Sequence, residues 1–251
     1  MQLKTARPVA RLRQGRTDWY RIVDKMDGPA EVYIYDEIGY WGVTAKDFVD
    51  ELRQVNAASI DLHLNSPGGD VFDGIAIYQA LVDHSASVRT IVDSLAASAA
   101  SFIAQAGDPV IMTPAATMMI HDAFGIAVGN AADMRDLADR LDKVSDTIAG
   151  IYAERAGGTV TAWRDAMRAE SWYDADEAVA AGLASEVRAG PGQRDATQDS
   201  WDLSIFSYAG RQLAPTPPMP ATPAPAPPPA PESFVFDADI FRIGIKEGIR
   251  A

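Results

Sequence analysis

Residues 59–93 read SIDLHLNSPGGDVFDGIAIYQALVDHSASVRTIVD, and the order of their apolar segments indicates the fold class. The segments 59–64 and 87–93 are rich in apolar and β-branched residues, which is typical of strands. Residues 71–84 between them form an apolar stretch long enough for a helix. A strand, a helix and a second strand in this order predict a βαβ crossover and therefore a parallel pair of strands.

The same alternation continues on both sides of this stretch. Thr44 is a predicted N-cap, because a helical pattern begins directly after it. Residues 176–187 are predicted to form a short helix followed by a strand. Further strands are predicted at 19–23, 30–38, 109–112 and 117–121, and further helices at 45–55, 95–107, 130–156 and 159–169. The pattern as a whole predicts an α/β fold with βαβ units and a mainly parallel sheet flanked by helices.

The composition excludes several classes of function. The chain has 22 basic and 35 acidic residues, a formal charge of −13, which argues against a nucleic-acid partner because phosphates repel such a field. It has no cysteine, which excludes disulfides, thiolate nucleophiles and cysteine-ligated metals. The three histidines lie far apart in the sequence. We therefore expect no metal and no cofactor.

The hydropathy pattern predicts a cytoplasmic protein without a membrane segment. No run of about 18 apolar residues occurs. Residues 1–20 are basic but lack the apolar stretch that a signal peptide requires.

The chain divides into four predicted regions. Residues 1–29 form a basic arm and the first strand, and residues 30–190 form the folded domain. Residues 191–233 form a flexible linker that holds most of the chain's 16 prolines and favours extended polyproline II structure. Residues 234–251 carry more phenylalanine and isoleucine than a free tail needs, yet are too short to form a core alone. We expect this last segment to dock on a neighbouring subunit or an assembly partner.

Three motifs could carry chemistry, although each also has a purely structural interpretation. NSPGG at 65–69 follows a strand, and its glycines either form a tight turn or let the backbone approach a ligand. SLAASAAS at 94–101 places serines at a strand-to-helix junction, where helix N–H groups favour a developing oxyanion; the small residues could equally serve close packing. MMIH at 118–121 ends a strand on a histidine that is either structural or a general base.

NSPGG, then AAS, then MIH is the order seen in the Clp protease (ClpP) family of self-compartmentalising serine peptidases. The chain resembles this family over about residues 30–188, so residues 30–190 would be the peptidase domain. The resemblance is strongest to the phage branch of head-maturation (prohead) proteases, because SLAASAASFIAQAGD at 94–108 is nearly identical to the corresponding sequence motif of that branch. It implies a ClpP/crotonase-type fold.

The resemblance also implies roles for individual residues. By position Ser98 matches the nucleophile and His121 the general base, and the backbone N–H groups of Gly69 and Ala99 match the oxyanion hole. Glu170 takes the third triad place, where many family members have aspartate. Asp122 is a rival for that place through its proximity to His121 alone. Adjacent strand residues point to opposite faces, which disfavours Asp122.

The implied function is ATP-independent serine endopeptidase activity on phage capsid or scaffold proteins during head maturation. Substrate would bind as an extended strand beside the loop of Pro67 and Gly68. The resemblance also implies a ring-shaped homo-oligomer, in which the helix at 130–156 could hold rings together. Three alternatives stay open: a ClpP-type peptidase that works with an unfoldase, a crotonase-fold acyl-CoA enzyme, and a non-catalytic assembly protein.

Overall fold

The computed structural model describes residues 19–24, 28–39 and 44–188. The predicted linker and C-terminal segment, and all of the basic arm before residue 19, lie outside the described residues. The strands are β1 Tyr20–Val23, β2 Ala30–Ile34, β3 Ser59–Ser66, β4 Ser87–Ala97, β5 Val110–Met112, β6 Thr117–Ile120, β7 Ser171–Asp174 and β8 Glu186–Val187. The helices are α1 Ala45–Leu52, α2 Val71–Val82, α3 Ala99–Ile103, α4 Ala131–Ala156, α5 Val160–Arg168 and α6 Ala175–Ala180, and a 3₁₀ turn at Ala104–Ala106 follows α3.

The strands form one mixed sheet, which confirms the predicted mainly parallel α/β fold. Its order is β1-β2-β3-β4-β5-β8, and every pair from β2 onward in this row is parallel. The long strand β4 has two partners on one side: its middle pairs with β5, and its last three residues pair with β6. Strand β7 then pairs with β6 in the antiparallel sense. This fork at the end of β4 positions the site described below.

The hydrophobic core lies against one face of the sheet, and the strand residues on that face are buried. Strand β2 alternates strictly, with Ala30, Val32 and Ile34 fully buried and the residues between them partly exposed. Ile77 of α2 and Phe102 of α3 are buried in the same core cluster. Each such aliphatic or aromatic side chain contributes about 1.5–3 kcal/mol through removal from water.

Two local predictions had different outcomes. Thr44 caps α1 as predicted, and it forms a reciprocal capping box with Asp47. The predicted helix at 95–107 is wrong at its start. Residues 95–97 are extended because they pair with Thr117, Met118 and Met119 of β6, and the helix begins only at Ala99. Alanine favours helices, but the pairing with β6 overrides this local preference.

The helix α4 differs between its two halves. Its second half is packed, with Ser145, Ile148, Ala149 and Tyr152 buried. Its first half has no buried residue, and Met134 is 38% exposed there. Within the three described ranges, no helix combines the length and the apolar content that crossing a bilayer requires.

Candidate active site

Ser98 occupies the turn between β4 and α3. Its backbone has φ 53° and ψ −123°, which a residue with a Cβ adopts only when the surrounding structure holds it there. The Ser98 N–H donates to the Met119 carbonyl of β6 at 3.0 Å. The Ser98 side chain makes no capping hydrogen bond to α3, so its hydroxyl can hydrogen-bond to a group outside the helix.

The loop of Pro67 and Gly68 lies against this turn. Gly68 has φ 97°, and a Cβ at this position would come within 2.6 Å of the Ser98 Cβ and 2.8 Å of the Ala99 nitrogen. Only glycine permits so close an approach. Pro67 is buried directly before it. The NSPGG motif is therefore more than a surface turn, because it packs on the backbone of the serine.

Gly69 lies beside Ile38, and the pairing determines where its N–H points. Ile38 donates to the Gly68 carbonyl at 2.7 Å and accepts from the Asp70 N–H at 3.0 Å. In such a parallel bridge, the N–H of the central residue points away from its partner. Gly69 also lines the cavity that Ser98 and His121 line. Its N–H is therefore oriented away from Ile38, as an oxyanion donor would need to be.

His121 lies directly after β6, within hydrogen-bonding distance of the serine. Its Nε2 atom is 2.7 Å from Ser98 Oγ. Burial lowers the pKa of His121 to about 4, although a hydrogen bond to the Asp122 backbone opposes this shift. The imidazole is consequently neutral at pH 7 and can accept a proton. The structure thus brings together the two predicted residues that are 23 positions apart in the sequence.

Glu170 lies directly before β7, next to the end of β6. Ile120 pairs with Ser171 at this end of the antiparallel ladder, so His121 and Glu170 are the residues that flank the last pair. The Glu170 side chain is fully buried, and its Oε1 accepts a hydrogen bond from the Trp172 indole at 3.2 Å. Its backbone has φ 51°, a strained conformation of the kind that clusters at functional sites.

Asp122 has a different role in the structure. Its two carboxylate oxygens each accept a hydrogen bond from the Arg164 guanidinium at 3.1 Å. Arg164 is itself buried and also pairs with Asp142 and Asp146 of α4. This ion-pair cluster joins α4, α5 and the loop after His121, and it occupies the carboxylate that was the rival for the triad.

Ser98 and His121 open into a cavity of about 220 Å³. The wall is mainly apolar, and Phe72 at its edge is 67% exposed. The lining residues that come from helices and from the loop after His121 include Phe102, Phe124, Ile126, Leu137, Leu141, Ile148 and Tyr152. Such a wall favours apolar side chains of a ligand.

The remaining histidines have structural partners. His63 Nδ1 lies 2.7 Å from Asp93 Oδ2, and His84 Nδ1 accepts the Ala86 N–H at 3.0 Å. Neither histidine lines the cavity. Among the described residues, no three His, Cys, Asp or Glu side chains gather in a way that could hold a metal ion.

Sequence reasoning missed two residues of this region. Tyr152 forms part of the cavity wall and hydrogen-bonds to Ser101, and Arg164 anchors the loop after His121. Tyr152 lies four residues after Ile148 on the apolar side of α4, so helical periodicity could have indicated its burial. No sequence signal indicates the partner of its hydroxyl.

A strained serine at a strand-to-helix turn, with its hydroxyl within hydrogen-bonding distance of a neutral histidine, is an arrangement that serine hydrolases use. The chain belongs to the Clp protease family, because the family model described as Clp protease matches residues 14–190. It is 34% identical over 164 residues to the ATP-dependent Clp protease proteolytic subunit of Bacteroides fragilis, covering 61% of this chain and 79% of that protein. The protein of the same description from Chlorella vulgaris is 34% identical over 128 residues, covering 50% of this chain and 64% of the relative. These findings support a ClpP-type serine peptidase.

Proposed function

We propose that the protein is an ATP-independent serine endopeptidase with Ser98 as nucleophile, His121 as general base and Glu170 as the orienting carboxylate. The observation that carries the proposal is the 2.7 Å contact between His121 Nε2 and Ser98 Oγ. Hydrogen-bonding distance between a nucleophile and a neutral base is the geometry that activates a serine hydroxyl.

The reaction follows from these positions. His121 takes the proton of Ser98 Oγ as the oxygen attacks a peptide carbonyl carbon. The Gly69 and Ala99 N–H groups bind the oxyanion of the tetrahedral intermediate, and His121 then gives its proton to the leaving amine. Water, activated by the same histidine, hydrolyses the acyl-enzyme. The buried carboxylate of Glu170 selects the imidazole tautomer and stabilises the imidazolium that forms.

The substrate binds as an extended strand beside the loop of Pro67 and Gly68. Two features support this placement: the loop backbone packs directly on Ser98, and the adjacent cavity has an apolar wall. Backbone hydrogen bonds supply affinity in such strand addition, and the pocket selects a side chain. We therefore expect cleavage after apolar residues.

The working form is a ring-shaped homo-oligomer. Its support is the family, together with the first half of α4, in which no residue is buried. Met134 in that half is 38% exposed. A second subunit would remove this apolar side chain from water.

The biological role that we propose is cytoplasmic processing of phage capsid or scaffold proteins during head maturation. Its support is the resemblance of residues 94–108 to the prohead branch and the proline-rich linker before an apolar C-terminal segment. The competing role is work with a partner unfoldase, which the ATP-dependent description of the relatives favours.

One experiment tests the activity and separates the two roles. The purified chain and its Ser98→Ala variant are incubated with an unfolded protein and with the capsid and scaffold proteins of its own source, without ATP. We expect the wild type alone to cut both kinds of substrate, with defined sites in the capsid or scaffold proteins. Cleavage of the unfolded protein alone would favour the unfoldase role, and no cleavage by either chain would contradict the proposal.

A further inference from the structure

The carbonyl oxygen of Ser98 accepts two hydrogen bonds from one residue. The Ser101 N–H donates to it at 3.0 Å, which is the first bond of α3. The Ser101 hydroxyl donates to the same oxygen at 2.5 Å. The turn that carries the nucleophile is therefore held from inside the protein by a buried side chain.

A second buried hydroxyl continues this contact. Ser101 Oγ lies 2.7 Å from the Tyr152 hydroxyl oxygen of α4. A carbonyl cannot donate, so the single hydroxyl proton of Ser101 goes to Ser98 O, and the Tyr152 hydroxyl must donate to Ser101 Oγ. Ser101 is fully buried and Tyr152 is 1% exposed. The direction of the chain is therefore fixed, from Tyr152 through Ser101 to the Ser98 carbonyl.

The Ser98 carbonyl and the Ala99 N–H belong to the same peptide unit. This unit is planar and trans, so its C=O and N–H point in opposite directions and turn together. A bond that holds the carbonyl toward Ser101 therefore holds the Ala99 N–H away from it. The strained backbone of Ser98 makes such an anchor necessary, because relaxation of φ and ψ at this residue would rotate the unit.

We infer that Ser101 and Tyr152 are positioning residues that aim the Ala99 N–H at the oxyanion. The inference rests on the proposed function, in which Ala99 supplies one of the two oxyanion donors. Neither hydroxyl touches the reacting atoms. Their effect falls on the tetrahedral intermediate and the transition state that leads to it, because the oxyanion is absent from the bound substrate, and this distinguishes them from residues that merely shape the cavity.

The test removes each hydroxyl and separates kcat from KM on a short chromogenic peptide. Tyr152→Phe and Ser101→Ala should each lower kcat about 2- to 13-fold, the factor that corresponds to one net hydrogen bond, while KM stays within about twofold. The double variant should be no slower than Ser101→Ala, because the chain is already broken there. Tyr78→Phe removes a phenol hydroxyl from α2, outside the cavity lining, and should leave kcat unchanged.

A second readout follows the oxyanion directly. A peptide boronic acid forms a tetrahedral adduct with an active serine, and its inhibition constant should weaken by the same factor as kcat in both variants. The inference would be overturned if kcat is unchanged in Tyr152→Phe, or if KM in that variant rises by the factor expected for kcat. It would also be overturned if Tyr78→Phe lowers kcat as much as Tyr152→Phe does. Tyr152→Phe retains the buried ring and decides the question if Ser101→Ala does not fold. An inactive wild type would overturn the proposed function as well, whereas an active wild type with unaffected variants would overturn this inference alone.

Discussion

Replacement of Glu170 by glutamine tests the least conventional member of the proposed triad. The side chain is fully buried, and glutamine has the same shape, so packing should be preserved. The Trp172 indole donates to Oε1 and would hold the amide oxygen on that side. In the proposed triad, the amide NH₂ would then replace the carboxylate oxygen that faces His121 Nδ1.

The expected loss of activity in Glu170→Gln follows from the tautomer of the His121 imidazole. An amide N–H next to Nδ1 favours the imidazole with its proton on Nε2, and that nitrogen can no longer accept the Ser98 proton. The charge that stabilises the imidazolium is lost as well. By analogy with the loss of a triad carboxylate in other serine proteases, kcat should fall about 10³- to 10⁴-fold, which corresponds to about 4–5.5 kcal/mol of transition-state stabilisation.

The assay is steady-state hydrolysis of a short peptide, with Asp122→Asn as the matched control. Asp122 is bonded to Arg164, so its amide variant should retain activity within about threefold. The control should still lose about 1 kcal/mol of unfolding free energy, because a partly buried ion pair is weakened. The reasoning is refuted if Asp122→Asn abolishes hydrolysis while Glu170→Gln remains active.

Three further predictions concern pH and assembly. Because burial lowers the pKa of His121 to about 4, the acid limb of kcat/KM for a peptide should lie below pH 6.5, and a midpoint at or above 6.5 would contradict a buried neutral base. Burial raises the pKa of Glu37 from 4.5 to about 7, and the nearby Asp36 charge adds to this shift. The folded state therefore binds the Glu37 proton more tightly than the unfolded state does. As the pH rises from 4.5 to 7, ionisation of Glu37 progressively lowers the free energy of unfolding. Glu37→Gln should therefore add about 1–3 kcal/mol of unfolding free energy at pH 8 and nothing at pH 4, and equal effects at both values would exclude this cause. Light scattering at micromolar concentration should give the mass of a ring, whereas an active monomer would be inconsistent with the assembly proposed for the first half of α4.

The parts of the fold that the sequence predicted are those with a local physical cause. Thr44 caps α1 because a threonine oxygen satisfies free helix N–H groups, which requires only neighbouring residues. Ser98 and His121 could be found because distinct motifs flank each of them. Their contact, however, depends on the pairing of β4 with β6, which brings the ends of two strands together.

The parts that the sequence did not predict depend on long-range partners. Strand β7 has the sequence SWYD, which lacks a strand-like alternation, and its extended form comes from pairing with β6. The predicted helix start at residue 95 is wrong because the pairing of residues 95–97 with β6 overrides the helix preference of alanine. The hydroxyl contact between Ser101 and Tyr152 spans 51 positions and has no signature in the sequence.

Labelling with a fluorophosphonate tests whether Ser98 is an activated nucleophile, because this reagent phosphonylates a serine only when a base and an oxyanion site activate it. Mass spectrometry of the labelled wild type should place a single adduct on Ser98. The adduct should be absent from Ser98→Ala, and it should form about 10³-fold more slowly in His121→Ala, because the triad members act as a unit. An acyl-CoA enzyme or an inactive assembly protein of the same fold would take up no label. An unlabelled wild type, or an adduct on a serine other than Ser98, would contradict the account.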